Sequence, residues 1–318
     1  MFFKNMEILE SKSPFTPIES SVLTIGSYDG IHRGHLNILN SVVSNAHAFD
    51  VQSVVITFEP HPRNVLKQGK SKIPLIMGLK EKIKVIESLG IDYIYIINFT
   101  KEFSKTSSAE FLNNTVVENF NPIAIITGNN HFFGYKKEGD PKFLKGYCNE
   151  NKIRFESLPP VLDGNSPISS TDIRELIKKG FLRRANFKLG SIFGFNTTIV
   201  KGSGRGQSLE FPTANLKPIE EQQLMPKPGV YFTKGRINGL HLYGMCNFGT
   251  RPTFLSDELV MEVHFFHNNV PSDLYGEKVR IEFLERIREE KKFSSPLVLM
   301  KQLKKDKEKC LKIQKKYE

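Results

Sequence analysis

The segment LTIGSYDGIHRGH, residues 23–35, places glycines and histidines in an order that suits phosphate binding. Its apolar run ends at Gly26, and a helix-compatible run begins near His32. The free N–H groups at a helix start attract anions, and glycine lets a phosphate approach the backbone. His32 and His35 lie three residues apart, so one helix face carries both. We therefore predict a site for ATP phosphates rather than two unconnected surface histidines, with further contacts from Gly26, Asp29, Gly30 and Gly34.

Polar motifs also follow two other apolar runs. The sequence TFEPHPR contains two prolines, which predict a rigid loop that takes Glu59, His61 and Arg63 out of regular structure. The sequence GNNHFFG contains Asn130 and continues to a Gly-Asp pair. Taken alone, each motif is equally consistent with a turn that has no chemical role.

A helical pattern begins at ISSTDIR, where either Ser169 or Ser170 would serve as an ordinary N-cap. In the alternative interpretation, Ser170, Thr171 and Arg174 form a second phosphate clamp of hydroxyl, backbone N–H and guanidinium groups. Such a clamp, opposed to the histidine turn, would hold a triphosphate from both sides.

Short apolar runs and amphipathic stretches alternate through the first half of the chain. The predicted strands are Val22–Ile25, Val51–Phe58, Tyr93–Asn98, Ile123–Thr127 and Ile153–Leu158, and the predicted helices are Leu36–Ala48, Gly78–Leu89, Ser108–Asn119 and Pro141–Asn151. This alternation predicts an α/β domain with a doubly wound parallel sheet. Ligands of such sheets bind at the carboxyl ends of the strands, where the polar motifs should converge.

The pattern changes after about residue 186, where strands dominate. The predicted strands are Thr197–Val200, Gly229–Arg236, Leu240–Asn247, Val260–Phe266 and Val279–Leu284, and a terminal helix over 295–317 carries Leu297, Met300, Leu303 and Leu311 on one side. We therefore predict two domains, 1–185 and 186–318. The second is a mostly antiparallel β-barrel followed by a helix.

The second domain carries its own candidate phosphate site. A flexible basic loop, KGSGRG, is suited to wrapping phosphates through Gly202, Gly204, Arg205 and Gly206. In the next motif, FPTAN, Thr213 and Asn215 offer oxygen ligands to a Mg²⁺ ion that ATP also holds, although a plain turn is an alternative. Glu262 lies in an otherwise apolar strand, either as a structural carboxylate or as a general base for a hydroxyl nucleophile.

The composition is that of an ordinary soluble protein, with 39% hydrophobic and 25% charged residues. No run approaches the ~18 apolar residues of a membrane span, and no signal peptide is evident, so we expect a cytoplasmic protein without a membrane partner. The net charge of +11 is concentrated after Arg286, which indicates a solvated terminal helix rather than a nucleic-acid surface. Three widely spaced cysteines make disulfides and a zinc site improbable.

Together the motifs resemble the bifunctional bacterial riboflavin kinase/FAD synthetase family, from about Val22 to Lys309. The matching segments are GSYDGIHRGH, TFEPHPR, TGNNHFFG and ISSTDIR in the first half, and GRGQSLEFPTANL, PGVY, NFGTRPTF, EVHFF and DLYG in the second. Any one segment could occur by chance. All of them in order make a specific match.

The resemblance implies that the barrel phosphorylates riboflavin with MgATP to FMN, and that the first domain joins FMN to a second ATP, giving FAD and pyrophosphate. By carry-over, Thr213 and Asn215 hold Mg²⁺, the 202–206 loop covers the phosphates, and Glu262 accepts the hydroxyl proton. The residues that bind the second ATP would be His32, His35, Ser170, Thr171 and Arg174, with Asn130 near the reacting group and Glu59, His61 and Arg63 in a loop on the flavin side.

The chain departs from the family pattern at four positions. His131 stands where Phe or Tyr is usual, Glu210 replaces a glycine, His267 stands where Asp is common, and Glu289 replaces a frequent Pro. None of these changes removes a proposed catalytic group, so the resemblance still implies both activities.

Other functions are alternatives to this interpretation. A kinase with a weakened adenylyltransferase module, another nucleotidyltransferase and a flavin-binding protein each explain part of the pattern. A nucleotidyltransferase for phosphopantetheine or nicotinate mononucleotide would not explain the barrel motifs, and a class I aminoacyl-tRNA synthetase would need a Lys-Met-Ser-Lys-Ser loop, which is absent. The sequence does not determine the oligomeric state.

Overall fold

A computed structural model describes residues 5–67, 72–202, 211–237, 239–252, 257–266 and 275–318. The chain divides into two compact units, Met1–Ser170 and Thr171–Glu318. The domain boundary near residue 186 stays a prediction. Among the described residues, no helix has the length and apolar character needed to cross a membrane.

The described part of the first unit contains a six-stranded sheet. Its strands are β1 (Glu7–Glu10), β2 (Ser21–Ile25), β3 (Gln52–Glu59), β4 (Tyr93–Asn98), β5 (Pro122–Gly128) and β6 (Arg154–Leu158). They lie in the order β1-β4-β3-β2-β5-β6, and every neighbouring pair is parallel. The predicted parallel sheet is therefore confirmed. Strand β1 was not predicted, because only Leu9 of its four residues is buried.

Helices cover both faces of this sheet. They are α1 (Arg33–Phe49), α2 (Pro62–Leu66), α3 (Leu79–Ser88), α4 (Ser108–Glu110), α5 (Glu118–Phe120) and α6 (Pro141–Glu150), with a π-helical stretch, Phe111–Val117, between α4 and α5. Successive residues of one strand enter different cores: Leu23 packs in one apolar cluster and Val22 in the other. Burial of both faces explains why β2 reads as a continuous apolar run. A short hairpin, β7 (Leu162–Asp163) and β8 (Ser166–Pro167), follows the sheet.

The rigid loop expected at TFEPHPR is wrong for Glu59 and Arg63, whereas His61 lies outside the helices and strands as predicted. Glu59 is the last residue of β3, and Arg63 lies within α2. His61 is the N-cap of α2, because its Nδ1 atom accepts a hydrogen bond from the Arg63 N–H group at 3.2 Å. Pro62 occupies the first helical position, where its fixed φ angle and missing N–H group favour a helix start.

The second unit contains a closed antiparallel barrel within its described residues. Helix α7 (Ser170–Lys178) begins at the last residue of the first unit and is followed by α8 (Leu182–Leu189). The barrel strands are β9 (Gly194–Val200), β10 (Ala214–Pro218), β11 (Gly229–Ile237), β12 (Leu240–Pro252), β13 (Asp257–Phe265) and β14 (Lys278–Arg288). They close in the order β10-β13-β12-β11-β14-β9. The predicted barrel is confirmed, and β10, which begins in the FPTAN motif, was not among the predicted strands.

The terminal helix α9 (Pro296–Gln314) packs on the barrel through a face that includes only Met300 and Leu303 of the four predicted residues. Its buried residues are Asp306, Cys310 and Ile313, whereas Leu297 and Leu311 are exposed. The apolar periodicity did not place Asp306 on the packed face, because a carboxylate is ordinarily exposed. The Asp306 carboxylate accepts hydrogen bonds from Arg288 of β14 and Gln302, so it lies on the packed face as a paired group.

Candidate active sites

The chain makes a compact turn between β2 and α1. Tyr28, Gly30 and Ile31 all have positive φ angles of 48°, 87° and 36°. A Cβ atom on Gly30 would lie 2.9 Å from Ile76 Cγ2, so only glycine fits there without displacement. The turn delivers His32 to the N-cap position of α1, as the strand–turn–helix prediction required.

The structure brings the rings of His32 and His35 together. Their centroids are 3.7 Å apart with an angle of 16° between the ring planes, and Tyr28 meets His35 edge-on at 5.1 Å. The His35 N–H group donates to Nδ1 of His32 at 3.3 Å. Because Nδ1 accepts this bond, the proton of a neutral His32 ring resides on Nε2, which is then a donor.

Both imidazoles are held in the neutral form. Burial lowers the pKa of His32 to about 4, although its own backbone and the Asp29 carboxylate oppose the shift. Burial, together with the charges of His32 and Lys82, lowers the pKa of His35 well below its usual value. Within the described part of the chain, the buried Nδ1 atom of His35 has no hydrogen-bond partner. The pair therefore carries no fixed positive charge near pH 7.

Lys82 of α3 is a buried cation that sequence reasoning missed. Its side chain is 4% exposed, and its Nζ atom donates to the Ser27 carbonyl oxygen at 2.8 Å and lies 3.5 Å from Thr57 Oγ1. Burial lowers the pKa of Lys82, while the Glu59 and Asp29 carboxylates oppose the shift. The ammonium group thus fixes the backbone of the glycine turn from below. Its neighbours in the helix, Lys80 and Lys84, are exposed, so no sequence signal separated it from them.

Asp29 ties the turn to two other segments. Its buried Oδ1 atom accepts hydrogen bonds from the Ile76 and Met77 N–H groups at 2.9 and 3.2 Å. Its carbonyl oxygen accepts a bond from Ser170 Oγ at 2.8 Å, so the first residue of α7 contacts the histidine turn. Thr171 and Arg174 follow in the second unit. Thr171 is exposed, whereas Arg174 is buried, with 5% of its surface exposed.

An aromatic cavity of about 540 Å³ lies at the carboxyl edge of the first sheet. Gly26 and Ser27 line it at one place, and Arg63 is the one residue of the predicted flavin-side loop among its lining residues. The aromatic lining residues are Phe58, Phe99, Phe103, Phe111, His131, Phe132, Phe133 and Tyr135. The predicted Asn130 is exposed and is not among the lining residues. The cavity joins an apolar wall to the backbone of the glycine turn.

The barrel brings together residues that are far apart in the sequence. Glu262 of β13 lies directly opposite Asn215 of β10 on one side and Asn247 of β12 on the other. Directly opposed residues share one face of a sheet, so the three polar side chains form a row. Glu262, Asn247 and Thr213 line a cavity of about 300 Å³ together with residues of α9 such as Leu303. This geometry unites the two candidate metal ligands with the candidate base.

The start of the basic loop lies against this row. A Cβ atom on Gly202 would come within 1.8 Å of Asn215 Nδ2, so the glycine allows the backbone to contact the amide. Gly204, Arg205 and Gly206 lie outside the described residues, as do Glu210 and His267. Below the row, burial and the Glu262 carboxylate raise the pKa of the Cys246 thiol, which keeps that thiol protonated.

His264 closes one side of the barrel cavity and was not predicted. Its Nδ1 atom lies 2.9 Å from the Pro212 carbonyl oxygen, and its Nε2 atom lies 3.4 Å from Lys307 Nζ. Burial lowers the pKa of His264, the Pro212 contact opposes that shift, and the Lys307 charge reinforces it. The ring meets Phe211 edge-on, with the two ring centroids 5.0 Å apart. These contacts connect the FPTAN segment to α9.

The oxygen donors at the barrel site suit one kind of metal ion. Across the described ranges, no group of three or more His, Cys, Asp or Glu side chains could hold one. A hydroxyl and an amide oxygen, from Thr213 and Asn215, instead match a Mg²⁺ ion that keeps several waters and takes further ligands from nucleotide phosphates.

Comparisons with known proteins agree with this division of sites. One family model, described as FAD synthetase, matches residues 16–172, and another, described as riboflavin kinase, matches residues 189–314. A Listeria monocytogenes protein named bifunctional riboflavin kinase/FMN adenylyltransferase is 33% identical over 290 residues, which cover 90% of each chain. The chain belongs to this family. The resemblance drawn from the sequence motifs is thereby confirmed.

Other riboflavin kinase/FMN adenylyltransferases show the same extent of similarity. The Escherichia coli K12 protein of that name is 31% identical over 293 residues, and the Bacillus subtilis protein is 30% identical over 294 residues, with at least 91% of each chain covered. A crystal structure titled as a macrolide-efflux protein from Streptococcus pneumoniae matches with a TM-score of 0.86 and 30% identity, covering 95% of this chain and 97% of its own. Its title describes that protein, and the match shows a shared fold.

Proposed function

We propose that the chain catalyses both reactions of its family: phosphorylation of riboflavin by ATP to FMN, and adenylylation of FMN by ATP to FAD and pyrophosphate. The observation that supports this most strongly is that, in each matched region, candidate residues lie side by side. The stacked His32/His35 pair lies within the FAD synthetase region, and the Asn215–Glu262 row lies within the riboflavin kinase region.

In the first unit, the glycine turn and the two histidines bind the phosphates of ATP. Because Nδ1 of His32 already accepts a hydrogen bond, Nε2 of His32 is the ring donor that this proposal assigns to a phosphate oxygen. The helix start adds N–H groups and a positive dipole end. By the family resemblance, Ser170, Thr171 and Arg174 would be further phosphate ligands, and Asn130 would act near the reacting group.

Adenylyl transfer then requires positioning rather than a covalent enzyme intermediate. An oxygen of the FMN phosphate attacks the α-phosphorus of ATP, and the bond from that phosphorus to the bridging oxygen breaks, so pyrophosphate leaves. Negative charge accumulates on the departing phosphates. Imidazole N–H groups and backbone N–H groups held in place before the reaction stabilise that charge without reorganisation.

The aromatic cavity holds the flavin of FMN. Its apolar wall of phenylalanines is suited to stacking against a planar ring system, whereas Gly26 and Ser27 connect it to the phosphate site. Arg63 and Lys137 line the same cavity and complement the FMN phosphate. This arrangement directs the phosphate of FMN toward the glycine turn.

In the second unit, riboflavin and ATP meet at the cavity between the barrel and α9. Glu262 accepts the proton of the riboflavin 5′-hydroxyl while that oxygen attacks the γ-phosphorus, and ADP leaves with the bridging oxygen. Asn215 and Thr213 hold Mg²⁺, which offsets phosphate charge when it is bound. By the family resemblance, the 202–206 loop would cover the phosphates.

The test of the proposed function is a product analysis. The protein is incubated with riboflavin, ATP and Mg²⁺, and FMN is resolved from FAD by chromatography. Both products are expected. FMN without FAD would overturn the adenylyltransferase assignment, and the absence of both would overturn the whole proposal. Adding EDTA should stop both reactions, which tests the Mg²⁺ requirement separately.

The remaining expectations about this chain are proposals of the same kind. We place the adenylyltransferase in residues 1–185 and the kinase in 186–318, so separate expression of the two parts should separate the activities. The small molecules riboflavin, FMN and ATP are its proposed partners, with no role for nucleic acid. A steep salt dependence of RNA or DNA binding would contradict that last point.

A further inference from the structure

His264 of β13 lies in the second unit, beside the residues that are proposed to carry out the kinase reaction. It follows Glu262 by two residues, so both side chains project from the same face of the strand. Both line the cavity between the barrel and α9, as does Thr213. His264 is buried, with 7% of its surface exposed. No step of the proposed kinase reaction uses this buried imidazole.

Both ring nitrogens of His264 have polar neighbours. Nδ1 lies 2.9 Å from the carbonyl oxygen of Pro212, and Nε2 lies 3.4 Å from Nζ of Lys307 in α9. A carbonyl oxygen can only accept a hydrogen bond, so Nδ1 carries the proton and donates it. Burial lowers the pKa of His264, and Nε2 of the neutral ring accepts from the Lys307 ammonium group. The three groups form a chain of hydrogen bonds from α9 through the imidazole to Pro212.

The Pro212 carbonyl oxygen belongs to the peptide bond that leads into Thr213. The pairing of β10 with β13 begins one residue later, at Ala214 opposite Val263. Thr213 therefore lies just outside the backbone ladder, and Pro212 has no N–H group with which to extend it. The bond from the His264 side chain links the two segments where the ladder stops, so it fixes the peptide plane from which the Thr213 side chain extends.

Aromatic rings hold both the imidazole and the lysine in place. Nζ of Lys307 lies 5.9 Å from the ring centroid of Phe211 and 5.6 Å from that of Phe266. The same two rings meet His264 edge-on, with centroid distances of 5.0 and 5.8 Å. These contacts restrict the movement of the imidazole and of the ammonium group. A bond donated by a group held in this way is suited to positioning the segment that it reaches.

We propose that His264 is a positioning residue for phosphoryl transfer: its Nδ1–H group holds the Pro212–Thr213 peptide so that Thr213 faces the cavity that Glu262 lines. Lys307 acts through the imidazole, because its bond to Nε2 fixes the tautomer and the orientation of the ring. The inference rests on the proposed kinase function of the second unit. A displacement of about 1 Å can lower a rate by about a hundredfold, so a bond remote from the reacting atoms affects catalysis.

Asparagine and glutamine test the two ring nitrogens separately. The amide nitrogen of Asn takes the place of Nδ1, whereas that of Gln takes the place of Nε2. FMN formation from riboflavin and ATP is measured as a function of Mg²⁺ concentration. We expect His264→Gln and His264→Leu to lower kcat about five- to tenfold and to raise the Mg²⁺ concentration that gives half the maximal rate, with KM for riboflavin within about twofold.

The conservative variant His264→Asn should restore the native behaviour. It keeps a donor to the Pro212 carbonyl oxygen, so kcat and the Mg²⁺ requirement should stay within about threefold of the native values. His241→Leu, at an exposed histidine of β12, is the matched control and should change neither quantity. Conversion of FMN to FAD should be the same in all these variants, because that reaction is assigned to the first unit.

The tautomer of His264 is measured without turnover. Nitrogen-15 NMR of the imidazole rings distinguishes Nδ1–H from Nε2–H, and the signal of His264 is identified by its loss in His264→Asn. The Nδ1–H tautomer is expected. An Nε2–H tautomer would overturn the inference, because Nδ1 could not then donate to Pro212.

Lys307→Met tests whether α9 acts through the imidazole. The substitution should lower kcat in the native background and have no further effect in His264→Leu, since the two residues belong to one chain of bonds. Lys305→Met, at an exposed lysine of the same helix, is the control. Equal effects of Lys307→Met in both backgrounds would overturn the chain, because the lysine would then act without the imidazole.

The remaining outcomes separate the inference from the function beneath it. If the native protein forms FMN and His264→Leu retains its kcat and Mg²⁺ requirement, the inference fails alone. It also fails if His264→Gln restores activity as well as His264→Asn does, or if only KM for riboflavin rises. If the native protein forms no FMN, the proposed kinase function fails, and the inference fails with it. Should His264→Leu not fold, the comparison of His264→Asn with His264→Gln decides the question.

Discussion

His32 caps the helix that carries His35, and their imidazole rings stack with centroids 3.7 Å apart. The stack excludes solvent from both rings, and each positive charge would raise the cost of the other. Burial is the main cause that lowers both pKa values, and the charges of His32 and Lys82 lower that of His35 further. A site expected to neutralise phosphates therefore begins with uncharged donors, and the pair gains a proton from the solution only when a bound nucleotide raises its pKa values.

The first prediction concerns proton uptake. A bound triphosphate places negative charge beside the pair and raises both pKa values, so ATP binding near pH 6 should take up protons from the buffer. Calorimetric titration with ATP in two buffers of different ionisation enthalpy measures the number of protons. The variant His32→Ala/His35→Ala should show no such uptake. Equal heats for the native protein in both buffers would contradict the assigned phosphate role.

The same double variant should stop FAD formation and leave the kinase intact. The two substitutions remove imidazole groups from the phosphate site, whereas the Asn215–Glu262 row in the other unit is unchanged. The assay measures FMN from riboflavin and FAD from FMN on one preparation. His47→Ala, at an exposed position of the same helix, is the control and should retain both activities. An undiminished FAD yield in the double variant would refute the site.

Acid should destabilise the first unit. The pKa of His32 falls from 6.5 to about 4 on folding, so the unfolded chain binds a proton that the folded chain does not between these values. The contribution of His32 to the free energy of unfolding is fully present above pH 6.5. It is lost as the pH falls toward 4, and the loss is on the order of 3 kcal/mol. His35 acts in the same direction.

Urea unfolding followed at several pH values measures this contribution. The midpoint of the first unit should fall steeply between pH 6.5 and 4. The slope should be shallower in His32→Ala/His35→Ala, because the groups that titrate have been removed. Native and variant curves with the same pH dependence would show that these histidines do not control acid stability.

Lys82→Met should lower the rate of FAD formation by roughly tenfold or more. The change leaves the Ser27 carbonyl oxygen without its buried donor, which costs about 1–3 kcal/mol and loosens the glycine turn. It also removes a charge that lowers the pKa of His35, so the pH profile of FAD formation should shift upward. Lys84→Met, at an exposed lysine of the same helix, is the matched control. A rate loss without a shifted profile would indicate a packing role alone.

Glu262→Gln should abolish FMN formation and preserve the conversion of FMN to FAD. The amide keeps the size of the side chain and its place between Asn215 and Asn247 but cannot accept the hydroxyl proton. Single-turnover assays with riboflavin and with FMN distinguish the two steps. Glu220→Gln, an exposed glutamate, serves as the control. Loss of both activities in Glu262→Gln would show that the two sites depend on each other.

Local patterns explain why much of the fold was predictable. Strand β4 has the bounds predicted for it, and α1 begins three residues before its predicted start. Both elements were predictable because the alternation of buried and exposed side chains depends on residues that are neighbours in the sequence. Strand β1 was missed because most of its residues are exposed at the sheet edge. Asp306 was not predicted on the packed face of α9, because its carboxylate is buried only through its pairing with Arg288 of strand β14.

The sequence by itself determined the elements, the order of the motifs and the family, since each depends on residues close together in the chain. Only the tertiary structure decided that Lys82 contacts the backbone of the histidine turn and that Asn215 and Glu262 form one row. Burial and charge at these positions come from segments tens of residues away. Protonation and recognition follow from such neighbours, which local patterns do not encode.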